Sequence, residues 1–140
     1  MLDASGLFGI SPLMSVTGVD FVSVPTQDLE RAVAFYGETL GLDRSVYKPE
    51  RNFAEFETGT VTLSVVNPER MGIGEFKANA NHLALHVEDV AAARKALEAR
   101  GVSFHGDILD TGVCHMAIFS DPDGNALILR SRYAPRETDG

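Results

Sequence analysis

Tryptophan is absent, cysteine occurs once, at Cys114, and aromatic residues make up only 8% of the 140 positions. A single cysteine rules out an internal disulfide and fits a reducing compartment. Cations are outnumbered, with 12 Lys and Arg against 20 Asp and Glu, for a net charge of −8. That balance argues against nucleic acid or an anionic membrane as partner, since both require a basic face. No apolar run approaches the length of a bilayer span. Residues 1–16 carry no Lys or Arg ahead of a short apolar run that Asp3 interrupts, so a secretory signal is not expected. Met14 offers a second start to translation. The expected location is the cytoplasm. The remaining composition, 44% apolar and 23% charged, is that of one domain with a proper core.

Against these absences stands a repeat. An offset of 61 brings Val22 onto Leu83, Val24 onto Leu85, Asp28 onto Asp89, Leu29 onto Val90 and Ala32 onto Ala93. Each copy runs through an alternating apolar stretch, an Asp, a helical stretch and a Gly followed by an aliphatic residue (Gly41-Leu42 and Gly101-Val102). Self-similarity over half a domain means that one supersecondary unit was used twice. The copies differ at one telling place: Phe21 stands in one where His82 stands in the other.

In the first copy, Val22 and Val24 mark a half-buried strand, and Asp28 caps the helix that follows. Leu29, Ala32, Val33, Tyr36 and Leu40 form its apolar stripe, and Gly41 ends it. Strands are expected near 44–48, near 52–57 and from Thr60 to Val66, the last two joined at Thr58-Gly59. Residues 68–80 lack periodicity and read as a linker. The second copy repeats the order. Leu83, Leu85 and Val87 mark a strand, Asp89 a cap, Val90, Ala93 and Leu97 a helix face, and Gly101 its end. Strands are expected near 102–107, 112–119 and 126–131, with Asp121-Pro122-Asp123-Gly124-Asn125 as a strong turn signal. The fold class is α+β: two tandem βαβββ modules, 17–67 and 81–133, forming a curved mixed sheet around a central cleft. Tails are expected at 1–16 and 134–140.

The segments VPTQDLERAVAFYGETLGL, HVEDVAAARKALEARGV and IFSDPDGNALIL resemble the vicinal oxygen chelate superfamily, which includes glyoxalase I, bleomycin-resistance proteins, fosfomycin-resistance enzymes and extradiol dioxygenases. The resemblance covers roughly residues 17–133. It implies a metal site built from His, Glu or Gln side chains on inward positions of both modules. Matched one position at a time, the first-strand ligand falls on Phe21 and its counterpart on His82. The ligand on the last strand of module one falls on Ser64, and the final carboxylate, four residues beyond Gly124, on Ile128. A phenyl ring and an aliphatic chain have no lone pair to give, and a neutral hydroxyl is a poor donor. A full structural zinc site contributes roughly 10–16 kcal/mol, so one imidazole supplies about 3–4 kcal/mol, a millimolar site at best. No metal and no cofactor are expected.

With the matched positions taken as inward, period-2 alternation sorts the strands. Phe21, Ser23 and Pro25 point into the cleft, as do Thr60, Thr62 and Ser64. So do His82, Ala84 and His86 on the fifth strand, Cys114, Met116 and Ile118 on the seventh, and Ala126 and Ile128 on the eighth. His82 reads equally as a ligand contact or as a residue bonded only to a neighbour, and His86 could lie idle at the solvent end of its strand. Cys114 reads as a small buried hydrophobe, His105 and His115 as peripheral or helix-facing. Gly72-Ile73-Gly74 lacks the third glycine and the strand–helix setting of a dinucleotide loop. Asp121-Pro122-Asp123-Gly124 lacks the remaining ligands of a calcium loop.

The expected ligand contacts are thus Phe21, Ser23, Thr62, Ser64, His82, His86, Met116, Ile118 and Ile128. An apolar floor with small hydroxyls and two imidazoles suits a flat organic molecule with a few polar groups. The resulting expectation is metal-independent binding of a small, partly aromatic molecule by a homodimer. The alternative is an enzyme, glyoxalase- or dioxygenase-like with a relocated metal, or a metal-free isomerase or lyase with His82 or His86 as base. A third reading is a structural or regulatory dimer with a closed cleft.

Overall fold

The computed structural model describes residues 15–137 and a short N-terminal ribbon pairing Asp3–Ala4 with Gly6–Leu7. Most of the expected N-terminal tail and the last residues of the expected C-terminal tail lie outside the described residues.

Module one begins with β1 (Phe21–Pro25). Asp28 then caps α1 (Leu29–Ala34), its carboxylate accepting from the Arg31 amide at 3.1 Å. The helix widens into a π turn over Phe35–Thr39, closed by the Leu40 amide on the Phe35 carbonyl, and ends at Gly41 with φ +76°. Strands β2 (Asp43–Lys48), β3 (Phe53–Glu57) and β4 (Thr62–Val66) follow. The 68–80 segment opens with a helical turn, α2 (Pro68–Met71), capped by the Asn67 side chain on the Arg70 amide at 3.2 Å. The linker expected there is therefore partly ordered helix, because Asn-Pro supplies both a cap and a proline at the first helical position.

Module two repeats the plan with β5 (Leu83–His86), α3 (Val90–Ala99), β6 (Phe104–Asp110), β7 (Cys114–Ser120) and β8 (Ala126–Arg132). Asp89 caps α3 on the Ala92 amide at 3.0 Å, as Asp28 caps α1. Asp28 to Gly41 is one residue longer than Asp89 to Gly101. The π turn of module one takes up that residue, so both modules leave their helices on a left-handed glycine.

The strands form two mixed four-stranded sheets, ordered β1-β4-β3-β2 and β5-β8-β7-β6. In each, the outer first strand runs parallel to the last strand of its module and the other pairings are antiparallel. These are tandem βαβββ modules. The first strand of each module is therefore an edge. The core side of both sheets joins one apolar cluster with the helices, with Tyr36, Phe56 and Leu63 from module one and Phe119, Leu127 and Leu129 from module two.

The β7–β8 turn fastens the modules together. Asp121 accepts the Tyr36 hydroxyl at 2.6 Å and the Asn125 side-chain amide at 2.7 Å, both buried. The same amide donates to the Pro25 carbonyl at 2.8 Å. Asp123 accepts the Thr26 hydroxyl at 2.6 Å, the Gln27 amide at 2.9 Å and the Arg31 guanidinium at 3.0 Å. Three side chains of one turn thus satisfy donors and an acceptor spread over the other module from the end of β1 to the π turn.

Candidate functional site

Strand register sorts the side chains without ambiguity. Phe21 pairs with Thr62 and Ser23 with Ser64, while Ser64 also pairs with Glu55 and Thr62 with Glu57. All six share the face of sheet one that points away from α1 and the core. On sheet two, Ala84 pairs with Ile128 and Ile128 with Ile118, and His86 pairs with Arg130 and Arg130 with Met116. Cys114 continues that face opposite Arg132.

Two residues sit differently from their expected places. The fourth strand starts at Thr62, so Thr60 belongs to the turn before it and does not extend the hydroxyl row. His82 lies one residue ahead of β5 and is exposed. The ladder between β5 and β8 begins at Leu83, paired with Leu127, which leaves His82 outside the paired register. His86 is inside it, at the solvent end, where its Nε2 meets a Glu88 oxygen at 2.9 Å. His105 lies on the edge strand β6, opposite Ile118, with Nε2 3.2 Å from the Ser120 hydroxyl. His115 faces the helix side, 3.5 Å from Asp110, whose other oxygen takes the Tyr133 hydroxyl at 2.6 Å.

The two faces stand open within the single chain. Phe21 is 56% exposed and the His86 side chain 69%, whereas Ser64 is buried and Met116, Ile118 and Ile128 are half-buried. A cavity of about 550 Å³ lies elsewhere, in the seam between modules on the core side. Val22 and Leu63 line it from sheet one, Leu83, Leu85 and Leu129 from sheet two, and Leu97 from α3. Of the expected ligand contacts, only His86 reaches its wall. Arg100, also on its wall, donates to the Thr39 carbonyl at 2.6 Å and so ties the end of α3 to module one.

Electrostatics differ between the faces. Sheet one carries Glu55 and Glu57, and hydrogen bonds from the Ser45 and Thr62 hydroxyls hold the Glu57 carboxyl below its usual range. Sheet two carries Arg130 and Arg132. A hydrogen bond from Thr111 pulls the Cys114 thiol down, desolvation opposes it, and Arg130 adds to the lowering. Cys114 is buried, which limits its access to solvent.

The positions where the superfamily places metal ligands hold Phe21, Ser64, His82 and Ile128, a donor set that does not fit a divalent ion. Among the described residues, no group of three or more His, Cys, Asp or Glu side chains converges to offer a replacement.

Comparison with known proteins agrees with the fold. Residues 18–129 match the model of the Glyoxalase/Bleomycin resistance protein/Dioxygenase superfamily, and the chain belongs to that family. It is 30% identical over 118 residues to an uncharacterized protein of Mycolicibacterium smegmatis, covering 84% of this chain and 97% of that one. Among solved structures it is similar to an antibiotic-binding protein from Streptomyces sp. CB03234, with 30% identity, a TM-score of 0.71, and coverage of 86% of this chain and 99% of that one. It also shares its fold with a lactoylglutathione lyase from Agrobacterium tumefaciens, at 17% identity and a TM-score of 0.71, over 83% of this chain and 94% of that one. No helix among the described residues is long and apolar enough to cross a membrane.

Proposed function

We propose that this protein binds a small, partly aromatic organic molecule without a metal, on the open sheet faces that Phe21, Ser23, Thr62, Ser64, His86, Met116, Ile118 and Ile128 furnish, with His82 at the rim. The observation that carries the reading is the replacement of the family's ligand positions by Phe21, Ser64 and Ile128. Two of these substitutes are apolar: Ile128 joins Ile118 and Met116 on the face of sheet two, and Phe21 stands exposed on sheet one. The 30% identity to an antibiotic-binding protein over nearly the whole chain supports the same choice.

The open faces also support a homodimer. Half-exposed apolar side chains on a sheet face, together with the edges presented by β1 and β5, call for a cover, and a second copy supplies one symmetrically. The ligand would then lie between faces of the two chains. A net charge of −8 and a single cysteine support a cytoplasmic protein without nucleic-acid or membrane partners. Light scattering at micromolar concentration is expected to give the mass of two chains; a monomer mass would remove the dimer from this account.

Burying about 300 Å² of apolar ligand surface at ~25 cal/mol/Å² yields a gross 7–8 kcal/mol, from which association entropy is subtracted. Apolar contact alone therefore reaches micromolar affinity at most, and tighter binding draws on the imidazole, the hydroxyls or other polar groups of the face. The enzyme alternative has weaker support. His86, the paired imidazole, is exposed and already engaged by Glu88, and a general base works better in a dry site beside its substrate. The direct test is Ile128→Arg, which places a long charged side chain between Ala84 and Ile118. The variant is expected to fold as the wild type by circular dichroism and to lose binding of small aromatic probes. Unchanged binding would refute the placement of the site.

A further inference from the structure

Charge on this molecule is unevenly placed. The chain as a whole is strongly acidic, yet His86, Arg130 and Arg132 lie along one face of sheet two. No Asp or Glu shares that face among the residues paired across β5, β8 and β7.

The three cations are not equivalent. His86 is engaged by Glu88 at the strand end. Arg132 spends its guanidinium on the backbone, donating to the Ala134 and Pro135 carbonyls at 2.8 Å each. Arg130 is half-buried and takes part in none of the ion pairs among the described residues. The polar neighbour it meets is the Cys114 sulfur. A guanidinium has five N–H donors, and removing it partly from water without an anion is unfavourable. On the face, His86 and Arg132 lie on two of its sides and apolar side chains on the other two. Met116 lies directly opposite on β7, and Ile128, itself opposite Ile118, is two residues back along β8. That step is about 7 Å, comparable to the reach from the middle of a fused bicyclic ring, through an attached carboxylate, to a nitrogen hydrogen-bonded to it.

We infer that Arg130 selects an anionic ligand: a flat aromatic acid, carboxylate or phenolate, whose ring lies on Ile118, Ile128 and Met116 and whose charge meets the guanidinium. The inference rests on the binding reading above and specifies its ligand class. Arginine suits this role because its planar fork matches a carboxylate with two parallel hydrogen bonds. The overall negative charge then keeps most anions away, while the local row of cations accepts one that also fits the apolar platform.

The test uses two probes of the same shape, 2-naphthoate and the neutral 2-naphthamide, titrated into the purified full chain by calorimetry. Wild type is expected to bind the acid at least about tenfold more tightly than the amide, as a charge-assisted hydrogen bond implies. Arg130→Gln is expected to bring the acid down to the affinity of the amide and leave the amide unchanged. Arg130→Lys is expected to keep part of the preference. Added salt should weaken the acid alone. Equal affinity of the two probes for wild type, or an acid preference that survives Arg130→Gln, overturns the inference. If both probes bind equally and Ile128→Arg abolishes both, the anion preference fails while the binding site stands. Failure of both probes to bind counts against the site itself.

Discussion

Tyr36 and Asp121, 85 positions apart, meet in a buried hydrogen bond of 2.6 Å that joins the helix of module one to the last turn of module two. The aspartate is also held by the Asn125 side chain and by the amides of Asp123 and Asn125, at 2.7 to 2.9 Å. Removing the phenol oxygen leaves one lone pair of a buried carboxylate without its donor, at a cost of about 1–3 kcal/mol. Tyr36→Phe is expected to lower unfolding free energy by that amount in urea titration, with little change in slope. A loss below about 0.5 kcal/mol, the scatter of ordinary surface substitutions, would mean that the bond contributes nothing net.

The same pair sets a limit on alkaline stability. Burial, reinforced by the charge and hydrogen bond of Asp121, drives the Tyr36 hydroxyl far above its ordinary value. A group whose acid form is favoured in the fold contributes fully while pH stays below its unfolded value. Above about pH 10 the unfolded chain releases this proton and the folded one does not, so stability is expected to fall by up to about 1.4 kcal/mol per pH unit from this residue. Tyr36→Phe should show a correspondingly flatter decline. Parallel curves for the two proteins would assign the alkaline loss to other groups.

Asp123 and Arg31 offer a contrast within one ion pair. The Asp123 side chain is fully buried, while that of Arg31 is 48% exposed. Arg31→Ala removes one contact of a partly solvated cation and is expected to cost under about 1 kcal/mol. Asp123→Ala strips the Gln27 amide of its acceptor and leaves the Thr26 hydroxyl only the Asp28 carbonyl, with an expected cost of about 1–3 kcal/mol. Chemical denaturation of the two variants decides the order. Equal losses would contradict the view that the turn holds the modules by buried bonds.

The seam cavity separates stability from binding. Ala93 on α3 lines it, and Ala93→Leu adds apolar volume at almost no change in helix propensity. Filling the space is expected to raise unfolding free energy by about 1–2 kcal/mol, as burial of a few methylene-sized groups implies. Probe binding on the open faces should be unaffected. A variant of normal stability that loses binding would move the ligand site to the seam.

The repeat made the fold legible. Asp28 and Asp89 cap, Gly41 and Gly101 stop, and alternation sets which residues share a face, because each depends on local backbone chemistry alone. Local signals also carried two features that went unread: the extra residue between Asp28 and Gly41 that becomes a π turn, and Asn67-Pro68, which opens a helical turn. Strand beginnings were less legible. His82 and Thr60 continue the alternation of their neighbours but precede the hydrogen-bonded ladders, and nothing in their side chains marks that boundary. How the modules sit together was not legible at all. It depends on Asp121, Asp123 and Asn125 reaching Tyr36, Thr26 and Pro25 across the chain, and in the sequence the same residues spell only a turn. The setting of Arg130 was not legible for a related reason: that it lies opposite Met116, in none of the ion pairs among the described residues, depends on the register of sheet two.

The central claim, binding without a metal, is tested most directly by native mass spectrometry with elemental analysis of freshly purified protein, joined to thermal unfolding with and without chelator. The account predicts no stoichiometric divalent metal, an unfolding temperature indifferent to chelator, and an organic molecule of a few hundred daltons that is retained natively and released on denaturation. Near one metal per chain, or an unfolding temperature several degrees lower in chelator, would contradict it and put metal-dependent catalysis first.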